Sequence, residues 1–383
     1  MYKAPFMTED HEMFQKSLRK FLEKEAVPNF ISWEKSGIIP RSFWEKLGNQ
    51  GYLCPWLPEE YGGSGVDFAY SVIIHQELER IGTGLVGVGL HNDVVTKYIW
   101  HFGTEEQKKK WLPKCASGEI ISAIAMTEPG TGSDLSAIRT TAKKQGDHYI
   151  VNGAKTFITN GIHGDLIIVV CRTGTEETAP HKGISLIVAD KDTVGFQRGK
   201  KLEKVGMHSS DTAELFFEDA KIPAENLLGE VNKGFYYLMQ QLPQERLMVG
   251  IQAIANCEKM IELTVSYVKE RKVFGKPVSS YQNTQMKLAE FQTETEIGRT
   301  FVDQVTQRHM NGENVTKEVA MLKWWTTDLA KKIASECVQL HGGYGYMEDY
   351  EIARRYRDSP VAAIYAGTNE IMKLIIAKEM DLS

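Results

Sequence analysis

The sequence has few cysteines, no long apolar run and no large excess of charge of either sign. The spacing of the five cysteines fits neither a disulfide framework nor a metal site, which indicates reduced thiols: Cys54, Cys115, Cys171, Cys257 and Cys337. No apolar run reaches the roughly 18 residues of a membrane helix, and residues 1–12 show neither a signal core nor a transit pattern. A net charge of −5 gives no general attraction to nucleic acid or anionic membranes. We therefore expect a cytoplasmic protein without a membrane span, a nucleic-acid partner or a metal.

The composition is otherwise that of a globular protein, with 383 residues, of which 42% are hydrophobic and 25% are charged. A chain of this length predicts two or three domains. The hydrophobic pattern changes twice along the chain. We expect a helical domain at residues 1–120, a β domain at 121–228 and a second helical domain at 229–383, which together make an α+β protein.

Helical periodicity dominates both ends of the chain. In Glu9–Glu25, the side chains of Phe14, Leu18, Phe21 and Leu22 share one face. Further helices are predicted at Phe68–Arg80, Val94–Trp100, Glu105–Trp111, Gly234–Arg271, Gln282–Met310, Thr316–Leu340 and Thr368–Met380. The length of the later helices and the short links between them predict a C-terminal bundle.

Short apolar runs separated by turn residues dominate the middle of the chain. They predict strands at Ile120–Met126, His148–Val151, Leu166–Cys171, Ile184–Ala189 and Ala213–Phe217. Because no long helix lies between these runs, we expect an antiparallel, barrel-like sheet rather than a parallel dinucleotide-binding sheet.

Five segments have residues that suit a ligand site, and each also has an ordinary structural explanation. They are Ala125–Asp134, Asn152–Gly161, Glu270–Pro277, Gln339–Tyr346 and Tyr365–Ile371. The first is either a connecting loop or a glycine-rich rim whose backbone approaches a ligand. The second has two Asn-Gly pairs, which predict two hairpin turns around a short strand. That strand would present Phe157 and Thr159 on one face.

The remaining segments lie at predicted helix ends. Arg271 would serve either the dipole of its helix or a phosphate group, for which its planar guanidinium is suited. A helix C-cap accounts for one of the three glycines Gly342, Gly343 and Gly345, but not for all three.

In their order and spacing, these segments resemble the acyl-CoA dehydrogenase family over nearly the whole chain, from Thr8 to Lys378. The resemblance is closest to the long-chain branch and is carried by Ser209–Phe217, Leu242–Arg246 and Tyr365–Lys373. It implies a flavoprotein that oxidises acyl-CoA to trans-2-enoyl-CoA, with FAD as cofactor and electron-transfer flavoprotein as electron acceptor. The implied fold has an N-terminal α-helical domain, a middle antiparallel β-barrel-like domain and a C-terminal four-helix-bundle-like domain.

The resemblance also implies where FAD is bound, between the middle and C-terminal domains and extending to a neighbouring subunit. We therefore expect a homo-oligomer, as a dimer of dimers, in which Arg271 and Phe274 reach the FAD of the partner subunit. Many family members have Trp where Phe157 stands, so stacking is kept here without the N–H donor. The implied cofactor-binding residues are Met126, Thr127, Ser133, Phe157, Thr159, Arg271, Phe274, Gln282, Gln339, Gly342, Gly343, Thr368 and Glu370.

The catalytic base is not where many family members have it, immediately before the Gly-Thr of the final motif. That position is Ala366 here, and alanine cannot take a proton. The long-chain and isovaleryl branches have the base on a helix of the bundle, and this sequence has Glu245 at that place. The resemblance thus implies that Glu245 abstracts the α-proton while flavin N5 takes the β-hydride. The ordinary alternative is a solvated helix glutamate paired with a nearby cation.

The implied substrate is an acyl-CoA of medium or long chain. The implied substrate-binding residues are Ser133, Arg246, Gly87, Gly89, Ala366 and Gly367. By resemblance, Gly87 and Gly89 leave room in the acyl channel, but glycines that only allow close helix packing explain them equally well. Dehydrogenation of a branched acyl-CoA or of a carrier-protein-bound thioester, an oxidase, and a catalytically silent flavin-binding relative remain open. The silent flavin-binding relative belongs to a different functional class, and so does an all-α interaction scaffold without a cofactor.

Overall fold

The computed structural model describes residues 4–82, 84–175 and 178–382. The first part of the chain is helical, as expected. Its helices are α1 (Glu9–Glu25), α2 (Phe30–Ser36), α3 (Arg41–Asn49), α4 (Phe68–Ile81), α5 (Val86–Leu90), α6 (Thr96–Phe102) and α7 (Glu105–Ser117). Helix α1 begins at a capping box between Thr8 and His11 and buries Leu18 and Leu22. A π-helical turn, His91–Val95, joins α5 to α6, so the predicted helix at Val94–Trp100 begins inside this turn.

The middle part forms one eight-stranded sheet. Its strands are β1 (Ser122–Ala125), β2 (Thr141–Gln145), β3 (His148–Thr159), β4 (Leu166–Arg172), β5 (Ile184–Asp190), β6 (Phe196–Lys201), β7 (Thr212–Pro223) and β8 (Leu227–Leu228). The order is β6-β7-β3-β2-β4-β5-β8, with β1 beside β4. Most neighbours are antiparallel, as predicted, but β4 pairs in parallel with β1 and at one position with β2.

The prediction of a hairpin turn at the first Asn-Gly pair is wrong. Asn152 and Gly153 lie inside β3, and the pairing of β3 with β7 shifts register just before Gly153. A β-bulge absorbs the extra residue there. Gly153 has a φ of +153°, and a Cβ at this position would lie 2.5 Å from the Thr140 hydroxyl, so glycine is required. The second pair, Asn160-Gly161, does end β3 in a turn, but the next strand along the chain, β4, pairs with other strands.

The last part of the chain is a helical bundle, as predicted. Its elements are α8 (Gly234–Glu270), the hairpin strands β9 (Lys272–Val273) and β10 (Lys276–Pro277), α9 (Gln282–Met310), α10 (Thr316–His341), α11 (Glu351–Asp358) and α12 (Asn369–Lys378). Helix α8 packs along α10, α9 packs on both, and α12 packs on α10. Leu247, Ile251, Val302 and Leu322 are fully buried in the core of this bundle.

The three parts of the chain meet around the middle of α8. One apolar cluster contains Tyr98 from α6, Ile168 from β4 and Met248 from α8, all of them buried. Met248 is less than one helical turn from Glu245. The fold therefore places the predicted base where helices and sheet come together.

Within residues 4–82, 84–175 and 178–382, every helix is too short or too polar to serve as a membrane-crossing segment.

Candidate active site

Glu245 faces the interior of the protein from the N-terminal half of α8. Its carboxyl oxygen Oε1 accepts a hydrogen bond from the Tyr98 hydroxyl at 2.9 Å. Only 9% of Glu245 is exposed. A solvated helix glutamate, the ordinary alternative, therefore does not describe this residue.

The pKa of Glu245 suits a group that exchanges protons near neutral pH. Burial raises the pKa of this carboxyl from 4.5 to about 7, although the Tyr98 hydrogen bond and the charge of Arg246 act in the opposite direction. The pKa alone does not identify a base, because burial also raises the pKa of Glu79 to about 7. The groups that surround Glu245 must decide its role.

The next residue in the chain, Arg246, connects α8 to the segment that contains Ala366. Its Nε donates a hydrogen bond to the Ala366 carbonyl at 3.3 Å, and the whole side chain is buried. Ala366 and Gly367 both have left-handed backbone conformations, with φ values of +54° and +91°. For alanine this costs roughly 1–2 kcal/mol, so the surrounding contacts hold Ala366 in a strained conformation.

Lys323 holds the same segment from α10. Its Nζ donates to the Gly367 carbonyl at 2.7 Å and to Asn369 Oδ1 at 3.1 Å. The side chain is fully buried. Burial lowers the pKa of Lys323 to about 8, and the neighbouring charge of Arg246 acts in the same direction. Two cations from two bundle helices thus fix the turn at Ala366 and Gly367.

Two polar groups at this place have no partner in the part of the chain that the structure describes. Among the described residues, nothing donates to Glu245 Oε2, and the Ala366 N–H reaches no acceptor. These groups belong to the two elements that Arg246 joins. A carboxylate oxygen and a backbone N–H that are both available suit the removal of a proton next to a carbonyl, because the carbonyl oxygen then gains negative charge.

A second set of predicted residues lies where the end of β1 meets the last part of β3. This place is called the Phe157 edge of the middle sheet. Met126 and Thr127 follow β1 and lie against β3, because the Thr156 N–H donates to the Thr127 carbonyl at 2.9 Å. Lys155 Nζ donates to the Met126 carbonyl at 3.0 Å and to Glu128 Oε1 at 2.8 Å. Lys155 and Glu128 are both buried, so this ion pair fixes the edge from inside the sheet.

Phe157 and Thr159 end β3 at the same edge. The pairing of β3 with β7 shifts register a second time around Phe157, which has a φ of +60°. The ring is 68% exposed, whereas Thr159 is partly buried. An exposed aromatic ring beside Thr127 suits contact with a planar ligand. Ser133 is exposed in the loop that follows Thr127.

A third set of predicted residues surrounds a cavity at the ends of α8 and α10. The cavity has a volume of about 500 Å³, and its lining includes Arg271, Gln339, Gly342 and Gly343. A Cβ at either glycine would meet no atom within 4 Å, so a ligand can approach the backbone closely. The Arg271 guanidinium lies over the Tyr344 ring at 5.4 Å. This guanidinium and the glycine backbone suit a phosphate-containing ligand.

The remaining predicted cofactor residues lie at the starts of α9 and α12 and in the hairpin between α8 and α9. Phe274 is 96% exposed at the turn of this hairpin, and Gln282 is the exposed first residue of α9. Thr368 caps α12, and Glu370 lies in its first turn. Among the described residues, no hydrogen bond joins the Phe157 edge to any of the residues around Arg271 or on α12. The expected reach of Arg271 and Phe274 to a neighbouring subunit stays a prediction.

Family models match most of the chain. The models "Acyl-CoA dehydrogenase, N-terminal domain", "middle domain" and "C-terminal domain" match residues 8–119, 123–220 and 232–380. Over 371 residues the chain is 48% identical to the mitochondrial long-chain specific acyl-CoA dehydrogenase of Mus musculus. The matched region covers 97% of this chain and 86% of that relative. The chain belongs to the acyl-CoA dehydrogenase family.

Solved structures of acyl-CoA dehydrogenases have the same fold. An acyl-CoA dehydrogenase from Geobacillus kaustophilus is 64% identical, with a TM-score of 0.98 over 99% of this chain and 100% of that one. A glutaryl-CoA dehydrogenase from Mycobacterium smegmatis in complex with FADH2 is 29% identical, with a TM-score of 0.91 over 98% of this chain and 95% of that one. The protein is an acyl-CoA dehydrogenase, an oxidoreductase, and its cofactor is FAD. The glycine-walled cavity beside Arg271 and the exposed Phe157 ring suit a group with both phosphates and a planar ring.

Gly87 and Gly89 of this acyl-CoA dehydrogenase pack closely against neighbouring side chains. A Cβ at Gly87 would lie 2.3 Å from Asn160 Oδ1, and a Cβ at Gly89 would lie 2.4 Å from the His75 ring. Both glycines are buried. Close packing therefore accounts for them, and their predicted place in an acyl channel has no support from their surroundings. Thr83, which begins the same stretch of sequence, lies outside the described residues.

Two residues of the candidate site do not follow from the sequence motifs. Tyr98 lies 147 positions before Glu245, and Lys323 lies 44 positions before Gly367. Tyr98 falls in a predicted helix and Lys323 in another, but neither belongs to a motif. A lysine among apolar residues of a bundle helix was the one available signal for Lys323.

Proposed function

We propose that Glu245 removes the α-proton of an acyl-CoA thioester and that the product is trans-2-enoyl-CoA. The observation that carries this proposal is a buried carboxyl with a near-neutral pKa, joined by Arg246 to the turn at Ala366. Ala366 stands where many family members have their base. Glu245 therefore supplies the carboxylate that position 366 lacks.

The backbone at Ala366 supports the same step. When the α-proton leaves, negative charge develops on the thioester oxygen, and a fixed N–H donor stabilises this charge. The Ala366 N–H has no acceptor among the described residues, and Arg246 and Lys323 hold the turn that presents it. FAD, when bound, supplies the acceptor for the β-hydride. Glu245 keeps the α-proton until the product leaves.

We propose that FAD contacts the Phe157 edge with its ring system and the Arg271 cavity with its phosphates. The exposed Phe157 ring and the open backbone at Gly342 and Gly343 support this assignment. The proposed cofactor-binding residues are Met126, Thr127, Ser133, Phe157, Thr159, Arg271, Phe274, Gln282, Gln339, Gly342, Gly343, Thr368 and Glu370. By resemblance, Arg271 and Phe274 would reach the FAD of a neighbouring subunit, so we also propose that a second subunit completes each cofactor site.

We propose a long-chain acyl-CoA as substrate and electron-transfer flavoprotein as electron acceptor. Support comes from the identity to the long-chain specific relative and from the position of the base on α8. Initial rates with butyryl-, octanoyl-, palmitoyl- and isovaleryl-CoA test the chain preference. A preference for isovaleryl-CoA would replace the proposed straight-chain substrate with a branched one.

The role of Glu245 is tested with Glu245→Gln. The variant keeps the size of the side chain and an acceptor for the Tyr98 hydroxyl, but it cannot take a proton. We expect it to bind FAD and palmitoyl-CoA, and to bleach the flavin about 10²- to 10⁴-fold more slowly in anaerobic stopped-flow experiments.

Glu258→Gln is the matched control, because it removes a carboxylate from the same helix. Glu258 pairs with Arg299, and the turn at Ala366 is not among its contacts. We expect flavin reduction at the wild-type rate in this control. Wild-type reduction in Glu245→Gln would show that another group is the base.

A further inference from the structure

We propose that Tyr98 is a positioning residue that holds the Glu245 carboxylate through Oε1 and so leaves Oε2 to take the α-proton. The inference rests on the proposed role of Glu245 as the base. Tyr98 comes from α6 in the N-terminal part of the chain, whereas Glu245 and the turn at Ala366 belong to the C-terminal part. The N-terminal helices would then contribute directly to the geometry of proton abstraction.

The hydrogen bond fixes one of the two carboxyl oxygens. Tyr98 is fully buried, and its hydroxyl donates to Glu245 Oε1 at 2.9 Å. Among the described residues, Oε2 has no donor. When one oxygen of a carboxylate accepts a hydrogen bond from a buried hydroxyl, the carboxylate cannot rotate freely. The other oxygen is then held in one orientation.

The π-helical turn before α6 sets the direction of Tyr98. The Thr96 hydroxyl donates to the carbonyls of His91 and Asn92 at 2.9 and 2.7 Å, which satisfies acceptors inside the turn. A π turn contains more residues than an α turn, so it rotates every later side chain about the helix axis. The position of Tyr98 is therefore built into the backbone and does not depend on a flexible loop.

Among the described residues, the titratable or charged groups that face the Glu245 carboxyl are Tyr98 from α6 and Arg246 from α8. The hydroxyl donates to the ionised carboxylate and therefore favours it. Loss of the hydroxyl should raise the pKa of Glu245 and shift the pH profile of proton abstraction to higher pH. A residue that only fills space would not move this profile.

The test uses Tyr98→Phe in the FAD-loaded enzyme with palmitoyl-CoA. We expect flavin reduction to slow about 10- to 100-fold, because a hydrogen bond to a charged group is lost, while the KM for palmitoyl-CoA stays near wild type. We expect the pH midpoint of the reduction rate to rise by about one unit. Wild-type rates with a wild-type pH profile would overturn the proposal.

Tyr61→Phe is the matched control. Tyr61 is buried in the same apolar cluster as Tyr98, and its hydroxyl donates to another glutamate, Glu105, at 2.6 Å. This control should keep the rate and pH profile of the wild type. A second measurement combines Tyr98→Phe with Glu245→Gln, where Tyr98→Phe should cause no further loss if it acts through Glu245. An equal loss in both backgrounds would overturn the proposal.

A measurement without acyl-CoA separates this proposal from the proposed function. The infrared carbonyl band that disappears in Glu245→Gln reports the protonated carboxyl, and its pH midpoint should be higher in Tyr98→Phe than in wild type. An unchanged midpoint overturns the role of Tyr98, even where Glu245→Gln is inactive. Wild-type flavin reduction in Glu245→Gln instead overturns the proposed base.

If Tyr98→Phe loses FAD, the substitution Tyr98→3-fluorotyrosine tests the same role while it preserves the packing. Its more acidic hydroxyl should lower the pH midpoint of the carboxyl band. An unchanged or raised midpoint again overturns the proposal.

Discussion

Replacing Glu245 with glutamine should stabilise the folded enzyme at neutral and alkaline pH while it removes activity. In the folded protein, burial raises the pKa of this carboxyl from 4.5 to about 7. At a pH between these two pKa values, the carboxyl of the unfolded chain has already released its proton, whereas that of the folded protein retains it. Folding is therefore opposed by a cost that grows as the pH rises from about 4.5 to 7 and is constant above that. Glutamine carries no charge and avoids this cost.

The magnitude follows from the same two pKa values. A difference of about 2.5 units at 1.36 kcal/mol per unit corresponds to about 3 kcal/mol, an order-of-magnitude figure. Relative to wild type, Glu245→Gln should thus gain nothing below about pH 4.5 and about 3 kcal/mol above about pH 7. The Tyr98 hydroxyl keeps an acceptor in the variant, so no hydrogen bond is lost.

Thermal denaturation midpoints of FAD-loaded wild type and Glu245→Gln, measured from acidic to alkaline buffers, check this prediction. The difference between the two proteins should increase with pH and then level off near neutrality. Glu258→Gln again serves as control, because Glu258 lies on the same helix and pairs with Arg299. A difference between Glu245→Gln and wild type that is constant across the pH range would refute the reasoning, because it would mean that the carboxyl has the same pKa in the folded and unfolded chain.

Two further predictions concern glycines. Gly89→Ala should destabilise the fold by about 1–3 kcal/mol, because its Cβ would lie 2.4 Å from the His75 ring, and it should leave the acyl-chain preference unchanged. A stable variant that prefers shorter acyl chains in the acyl-CoA panel would restore the channel interpretation. Gly343→Ala should melt like wild type, since no atom of the described residues lies within 4 Å of the new Cβ, whereas Gly343→Leu should fill part of the cavity beside Arg271 and weaken FAD binding. Equal FAD affinity of the alanine and leucine variants, measured by fluorescence titration of the apoprotein, would remove Gly343 from the cofactor site.

The sequence predicted the long helices well because their periodicity extends over many turns. Helix α9 begins and ends at Gln282 and Met310, as expected. Helices α2 and α3 have only 7 and 9 residues, too few for a periodic pattern to stand out, and they were missed. Strand β6 was missed for a different reason. Its residues Phe196–Lys201 are mostly polar, as is common for a strand at the edge of a sheet.

The candidate site could be predicted only where it coincides with motifs. Glu245 followed from its place in Leu242–Arg246, but the side chains that set its surroundings did not. Tyr98 and Lys323 reach the site through contacts between distant parts of the chain, and local pattern holds no information about such contacts. The β-bulge at Gly153 shows the opposite failure, since an Asn-Gly pair that is typical of a hairpin lies inside a strand. The domain limits at residues 120 and 228 stay a prediction.

The ion pair between Lys155 and Glu128 has a consequence for how the holoenzyme responds to salt. Dissolved ions screen charges that water can reach, and both members of this pair are buried. The sheet edge beside Phe157 should thus keep its shape from dilute buffer to concentrated brine. Arg271, in contrast, is exposed, so its attraction for a diphosphate should fade as ionic strength rises. Concentrated salt should therefore loosen the nucleotide end of the cofactor first and leave the ring end seated.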